Sequence, residues 1–215
     1  MNVVPVLFDV NGSFGKSCTG VPDCATLRER LAHMDRLGIS RSVVWNTESR
    51  SDNVTSANGN LRAEFERLPV RSRPRLMPAF TISPLLQYER GGPEALRRNL
   101  MECRTRCLRF TSSLTGFSLV QLEPVLAGLR DLHPMIIMGN READARDVLA
   151  FTEMFPDVSL VLADVIWGRC LYVMDLMRRR QNILIETSLI HTWDGIELLV
   201  KHCGVRRVLF AGLCP

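Results

Sequence analysis

Lysine is nearly missing from this chain. It stands only at Lys16 and Lys201, so the 27 basic residues that face 23 acidic ones are almost all arginine. Charges of both signs are interleaved, the net charge is +4, and the longest basic run is Arg178 to Arg180. No aromatic residues are threaded through that run, and no nucleic-acid-binding motif accompanies it. A solvated helix end accounts for the run, and no nucleic-acid partner is expected. Long apolar runs are also lacking, which argues against a membrane span. No basic segment followed by a long apolar stretch opens the chain, so no export signal is read there. The seven cysteines include no CxxC pair. An odd count without an export signal fits reduced thiols in a cytoplasm. Cys103 and Cys107, four apart, read as buried packing residues.

What is present is regular alternation. With 215 residues and 46% hydrophobic content, one core and one domain over residues 1–215 are expected. Short apolar runs read as strands: VVPVLFDV from Val3, SVVW from Ser42, RLMPAFTI from Arg75 and RCLRFT from Arg106. PMIIMG, VSLVLADV, NILIETS and RRVLFAG continue the series. Helical segments lie between them. Leu27, Leu31, Met34 and Leu37 have helical spacing, with Gly38 as a stop. A polar loop after Trp45 leads to a helix around Leu61 to Leu68, and GPEALRRNLMEC opens with Pro93 near its first turn. LVQLEPVLAGLRDL reads as one helix that carries Pro124 in its first turn or is kinked by it.

Eight strands and seven intervening helices imply a parallel sheet covered on both faces. A (β/α)8 TIM barrel fits best, with its final outer helix missing. An open doubly wound sheet is the alternative; the lack of a glycine-rich phosphate loop after the first strand counts against its nucleotide-binding forms. In the barrel, strands eight and one would have an outer face that no eighth helix covers. A second copy of the chain, or a longer chain, is expected to cover it, so a homo-oligomer is predicted.

Four stretches resemble the amidohydrolase superfamily, in its amidohydrolase-2 branch. FDVNGSFG stands where that family has Asp, one residue, then His-x-His and Gly. LAHMDRLGISRSVVW is similar to its first helix and second strand, and FPDVSLVLADV to the sixth strand, which ends in His. NILIETS and GVRRVLFAGLCP resemble its seventh and eighth strands. The resemblance implies a barrel with its site at the C-terminal strand ends. It also implies a divalent metal that activates water against an amide or ester carbon, with decarboxylation in some members.

The ligand positions depart from that pattern. Asn11 and Ser13 replace the two strand-one histidines, Met138 ends strand five, and Asp164 stands for the strand-six histidine. Leu213, or Gly212, aligns with the strand-eight Asp, and Arg109 takes the place of a Lys found in some relatives. Asn, Ser and Met are poor ligands for a hard or borderline cation. No catalytic metal and no cofactor are therefore expected.

Asp9, Asn11 and Ser13 share a strand parity, so they would face the mouth together, as substrate contacts or as a polar cap. Arg109 suits a carboxylate or phosphate through its planar fork, or else pairs internally with Asp164 or Glu186. Asp164 can move a proton if desolvated. Glu186 and Ser188 share a parity at the end of strand seven. His191 lies just beyond that strand, with surface duty as the plainer role, and Cys214 sits at the expected mouth. Gly59 and Asn60 read as a helix start, or as part of a lid. The expected activity is that of an amidohydrolase-like hydrolase or lyase on a small, acidic substrate. Asp164 and His191 are the catalytic candidates, and Asn11, Ser13, Arg109 and Glu186 the substrate-binding ones. The alternative is an inactive barrel that binds a ligand or partner.

Overall fold

The computed structural model describes residues 6–16, 24–50, 54–112 and 116–212. The strands are β1 (Leu7–Phe14), β2 (Ile39–Asn46), β3 (Leu76–Pro78), β4 (Phe80–Ile82), β5 (Cys107–Phe110), β6 (Met135–Gly139), β7 (Ser159–Ala163), β8 (Ile183–Glu186) and β9 (Val208–Leu209). The helices are α1 (Leu27–Leu37), α2 (Val54–Arg67), α3 (Gly92–Glu102), α4 (Glu123–Ala127), α5 (Ala145–Met154), α6 (Cys170–Arg179) and α7 (Gly195–Cys203).

All strand pairs are parallel, in the order β1-β2-β3 and then β4 through β9. Two backbone bonds join these runs into a ring. Ala79 N donates to Val44 O at 2.8 Å, which makes β3 and β4 one strand interrupted at Ala79. Val10 N donates to Phe210 O at 3.1 Å, which closes the last strand onto the first. Eight barrel strands result among the described residues, and the open sheet is excluded. The interruption has a local cause. Pro78 has no N–H to give the ladder, and its carbonyl accepts the Thr105 hydroxyl at 2.9 Å.

Strand residues alternate between two apolar layers. Val10, Val43, Trp45, Cys107, Ile137, Val161 and Ala163 pack inside the ring. Phe14, Val44, Phe80, Leu108, Met138 and Leu162 face outward against the helices. α1 joins the outer layer through buried Leu27, Leu31 and Met34. Thr26 caps its start, accepting from Glu29 N at 3.2 Å, and Gly38 ends it in the left-handed conformation at φ 68°. Leu37, which also fitted the spacing, is half exposed.

Three local expectations are corrected. The segment read as one helix after β5 is a turn of 3-10 helix (Leu119–Leu122), a short α4 and a second 3-10 turn (Arg130–Leu132). Pro124 supports α4's first turn, and Gly128 stands at its end. α2 starts at Val54, well before Leu61, so Gly59 and Asn60 lie inside it; Asn60 donates to Glu48 Oε2 at 2.9 Å instead of capping. Finally, no helix follows β9 among the described residues, yet Val208 packs into the outer layer and Leu209 into the interior. Only Phe210 of the VLF triplet is exposed.

Candidate active site

The first strand is bulged where it meets the site. Asp9 pairs with Ser42 and Gly12 with Val44, so three steps along β1 match two along β2. The bulge breaks the parity read from the sequence. Asp9 does not join Asn11 at the mouth. It turns outward, fully buried, into an ion pair with Arg30 of α1, which is itself 1% exposed. Asp9 Oδ1 accepts Asn11 N at 3.0 Å and Gly212 N at 3.3 Å, tying the bulge to the end of the last strand. Gly12 is required here: a Cβ would lie 2.8 Å from both Arg30 Nη2 and Val43 O. Burial raises the Asp9 carboxyl above its usual range, opposed by the Asn11 amide and by Arg30.

Arg109 occupies the centre of the mouth, inside the ring near the C-terminal end of β5, and is 0% exposed. Its Nη1 donates to Asn11 Oδ1 at 3.2 Å, and its Nη2 lies 3.8 Å from Asp164 Oδ2. Asn11 Nδ2 donates to Asp164 Oδ1 at 3.3 Å, so Asn11 bridges guanidinium and carboxylate. Burial lowers the Arg109 pKa to about 10; Asp164 acts against that shift and Arg50 adds to it.

Asp164 follows β7 in the left-handed conformation, φ 57°, which a short polar side chain tolerates better than most. Its backbone is held from both sides. Its N–H donates to Glu186 Oε1 at 2.6 Å, and its carbonyl accepts Asn140 Nδ2 at 2.6 Å. Its side chain, 39% exposed, is open to the mouth. Glu186 is fully buried and accepts three bonds, from Asp164 N, Ser188 N (2.6 Å) and Ser188 Oγ (2.8 Å). Burial still raises its pKa, with those donors opposing.

The structure thus brings Asn11, Arg109, Asp164 and Glu186 together. Ser13 lies two residues beyond Asn11, in register with Trp45. His191 is exposed on the loop after β8, and its side chain has no hydrogen bond to those four among the described residues. Met138 faces the helices, not the mouth; the inward position at the end of β6 belongs to Gly139. Leu213 and Cys214 lie outside the described residues.

Three side chains at the mouth were not found by sequence reasoning. Trp45 is the next-to-last residue of β2, with its ring under the Arg109 guanidinium, 4.4 Å from ring centroid to Cζ. Arg50, in the 3-10 turn after β2, stacks on the same indole at 5.0 Å. Glu142 lies beside Asp164, since a Cβ built on Gly139 would sit 3.4 Å from both side chains. The parity of Val43 and Trp45 was the available signal for the tryptophan; nothing local marked the other two.

The donor set among the described residues does not fit a metal. Among the described residues no group of three His, Cys, Asp or Glu side chains is placed to hold one. The Glu186 oxygens are taken by N–H and O–H donors, and the Asp164 carboxylate faces a fixed guanidinium. A divalent cation among Asn11, Asp164 and Glu186 would meet the Arg109 charge.

Among the described residues, no helix is long and apolar enough to cross a membrane. The sequence matches no protein-family profile and no curated protein. Solved structures do match in fold. A 2,6-dihydroxybenzoate decarboxylase complexed with 2,6-dihydroxybenzoate superposes at a TM-score of 0.70 and 13% identity, over 97% of this chain and 88% of that one. A dihydroxybenzoic acid decarboxylase from Polaromonas sp. JS666, with bound manganese and the inhibitor 2-nitroresorcinol, gives 0.70 and 13% over 97% and 86%. The 5-carboxyvanillate decarboxylase LigW from Sphingomonas paucimobilis gives 0.67 and 12% over 96% and 88%. The fold of this chain is therefore the TIM barrel of these enzymes, as the resemblance to the amidohydrolase-2 branch implied.

Proposed function

We propose that this chain is an amidohydrolase-like hydrolase or lyase that acts on a small acidic molecule at the barrel mouth, without a catalytic metal ion. The observation that carries the reading is Arg109: a fully buried guanidinium at the C-terminal strand ends, with a carboxylate 3.8 Å away and Asn11 on its flank. A buried, planar cation fits a carboxylate by paired N–H donors. The solved neighbours that decarboxylate aromatic acids support the same substrate class.

In this reading Arg109 and Asn11 hold the substrate acid, with Ser13 beside them. Asp164 gives or takes the proton next to the reacting carbon, and His191, exposed on the loop after β8, is the second candidate for moving a proton. In a decarboxylation, the electron pair left by departing CO2 would take that proton. Glu186 holds the Asp164 backbone amide and so sets where the Asp164 carboxylate stands.

One observation favours an inactive acid-binding barrel as the second reading: the buried carboxylate, Glu186, is fully engaged as an acceptor. The test is incubation of the purified protein with 2,6-dihydroxybenzoate and related aromatic acids in the presence of a chelator. Consumption of an acid, lost in Asp164→Asn, is the expected result. Binding without consumption would select the inactive barrel, and consumption only after manganese is restored would refute the metal-free mechanism.

A further inference from the structure

We propose that Trp45, Arg50 and Arg109 form one anion receptor, in which two guanidinium charges stand in for a divalent cation and exclude it. The inference rests on the reading of the mouth as an acid-binding site and adds two residues to it. Six buried side-chain nitrogens find no hydrogen-bond acceptor among the described residues. Four of them belong to this trio: Trp45 Nε1, Arg50 Nε, Arg109 Nε and Arg109 Nη2. The three residues are in stacked contact, with the two guanidinium carbons 5.0 and 4.4 Å from the same indole centroid.

Every orphaned group in this cluster is a donor. Buried donors without acceptors are costly, and a site that gathers four of them is complementary to a ligand rich in acceptors. Charge points the same way. Arg50 makes no ion pair among the described residues, and Arg109 has Asp164 only at 3.8 Å, beyond hydrogen-bond distance. Two cations thus share a largely buried aromatic platform; Asp164 is their nearest counter-charge, and Glu142 and Glu186 act on Arg109 from further off, with no ion pair to it among the described residues. A carboxylate supplies acceptors and negative charge together; a divalent cation supplies neither and meets both guanidiniums. Arg50 follows the C-terminal end of β2 and Arg109 lies near that of β5, so both belong to the same rim of the barrel.

Benzoate is a suitable probe, followed by calorimetry and by tryptophan fluorescence in chelator-treated buffer. Benzoate is expected to bind the wild-type chain and to change the fluorescence, with the change absent in Trp45→Phe. Arg50→Gln is expected to weaken benzoate roughly tenfold through the lost charge-assisted bonds, and Arg109→Gln more. Arg50→Lys, which keeps the charge but not the fork, should fall between; it also serves if the glutamine variant fails to fold. Manganese chloride alone should give no saturable binding. Undiminished benzoate binding by both Arg50 variants, with loss in Arg109→Gln, would overturn the receptor and leave the acid-binding mouth standing. One equivalent of bound manganese would overturn the claim that the guanidiniums exclude the cation. No benzoate binding by the wild-type chain would overturn the receptor and the acid-binding reading together.

Discussion

Arg30 reaches inward from α1 and closes on Asp9 of β1, leaving the two side chains 1% and 0% exposed. The pair sits behind the mouth, not in it. Asp9 also receives the amides of Asn11 and Gly212, so its carboxylate fixes both the β1 bulge and the end of the last strand. Removing one partner leaves the other charge buried and uncompensated. Asp9→Asn or Arg30→Met alone is expected to cost about 3–5 kcal/mol. The double variant should cost clearly less than the two single losses added together. Urea denaturation measures all three; single losses below about 1 kcal/mol would refute the role given to this pair.

Stability should also respond to acid in an unusual direction. Burial raises the Glu186 pKa, so the folded chain holds that proton more tightly than the unfolded chain does. The stability this contributes is full below the ordinary carboxylate range and is lost as pH rises through the raised value. Asp9 acts in the same sense. Between about pH 4 and pH 7, Glu186→Gln, which mimics the neutral form, should lose less stability than the wild type. Parallel pH profiles for the two proteins would contradict the assignment.

Arg109 should be dispensable for folding and indispensable for binding. Its guanidinium is fully buried, two of its nitrogens have no acceptor among the described residues, and Asp164 can turn its half-open carboxylate to water. Replacing such a charge by an apolar side chain of similar length is often neutral or stabilising. Arg109→Met is therefore expected to leave stability unchanged or to raise it by about 1–3 kcal/mol, while acid binding is lost. A large loss of stability in this variant would mean that the guanidinium is structural.

The sequence by itself determined the barrel. The near-continuous apolar strands and the Gly38 stop are local properties, and they recur in the folded chain, whereas the strand parity at β1 and the single helix read after β5 do not. It also determined that Asn11, Arg109, Asp164 and Glu186 would meet, because each stands at or near the C-terminal end of a barrel strand and parallel strands bring those ends to one rim.

Only the tertiary structure decided which way the groups at that rim turn. Asp9 and Asn11 share a parity on an ideal strand, but one extra residue in β1 sends Asp9 outward to Arg30. That bulge depends on a helix 21 residues further along and on room that only Gly12 leaves. Asp164 is turned by its left-handed backbone, held by Glu186 and Asn140 from two other strands' ends. Trp45 and Arg50 join the site because the ring closes around Arg109: Trp45 meets it across 64 residues, and Arg50 is brought in by stacking on the same indole. Pattern and spacing read neighbours along the chain; stacking, desolvation and charge act between residues that only the closed barrel makes neighbours.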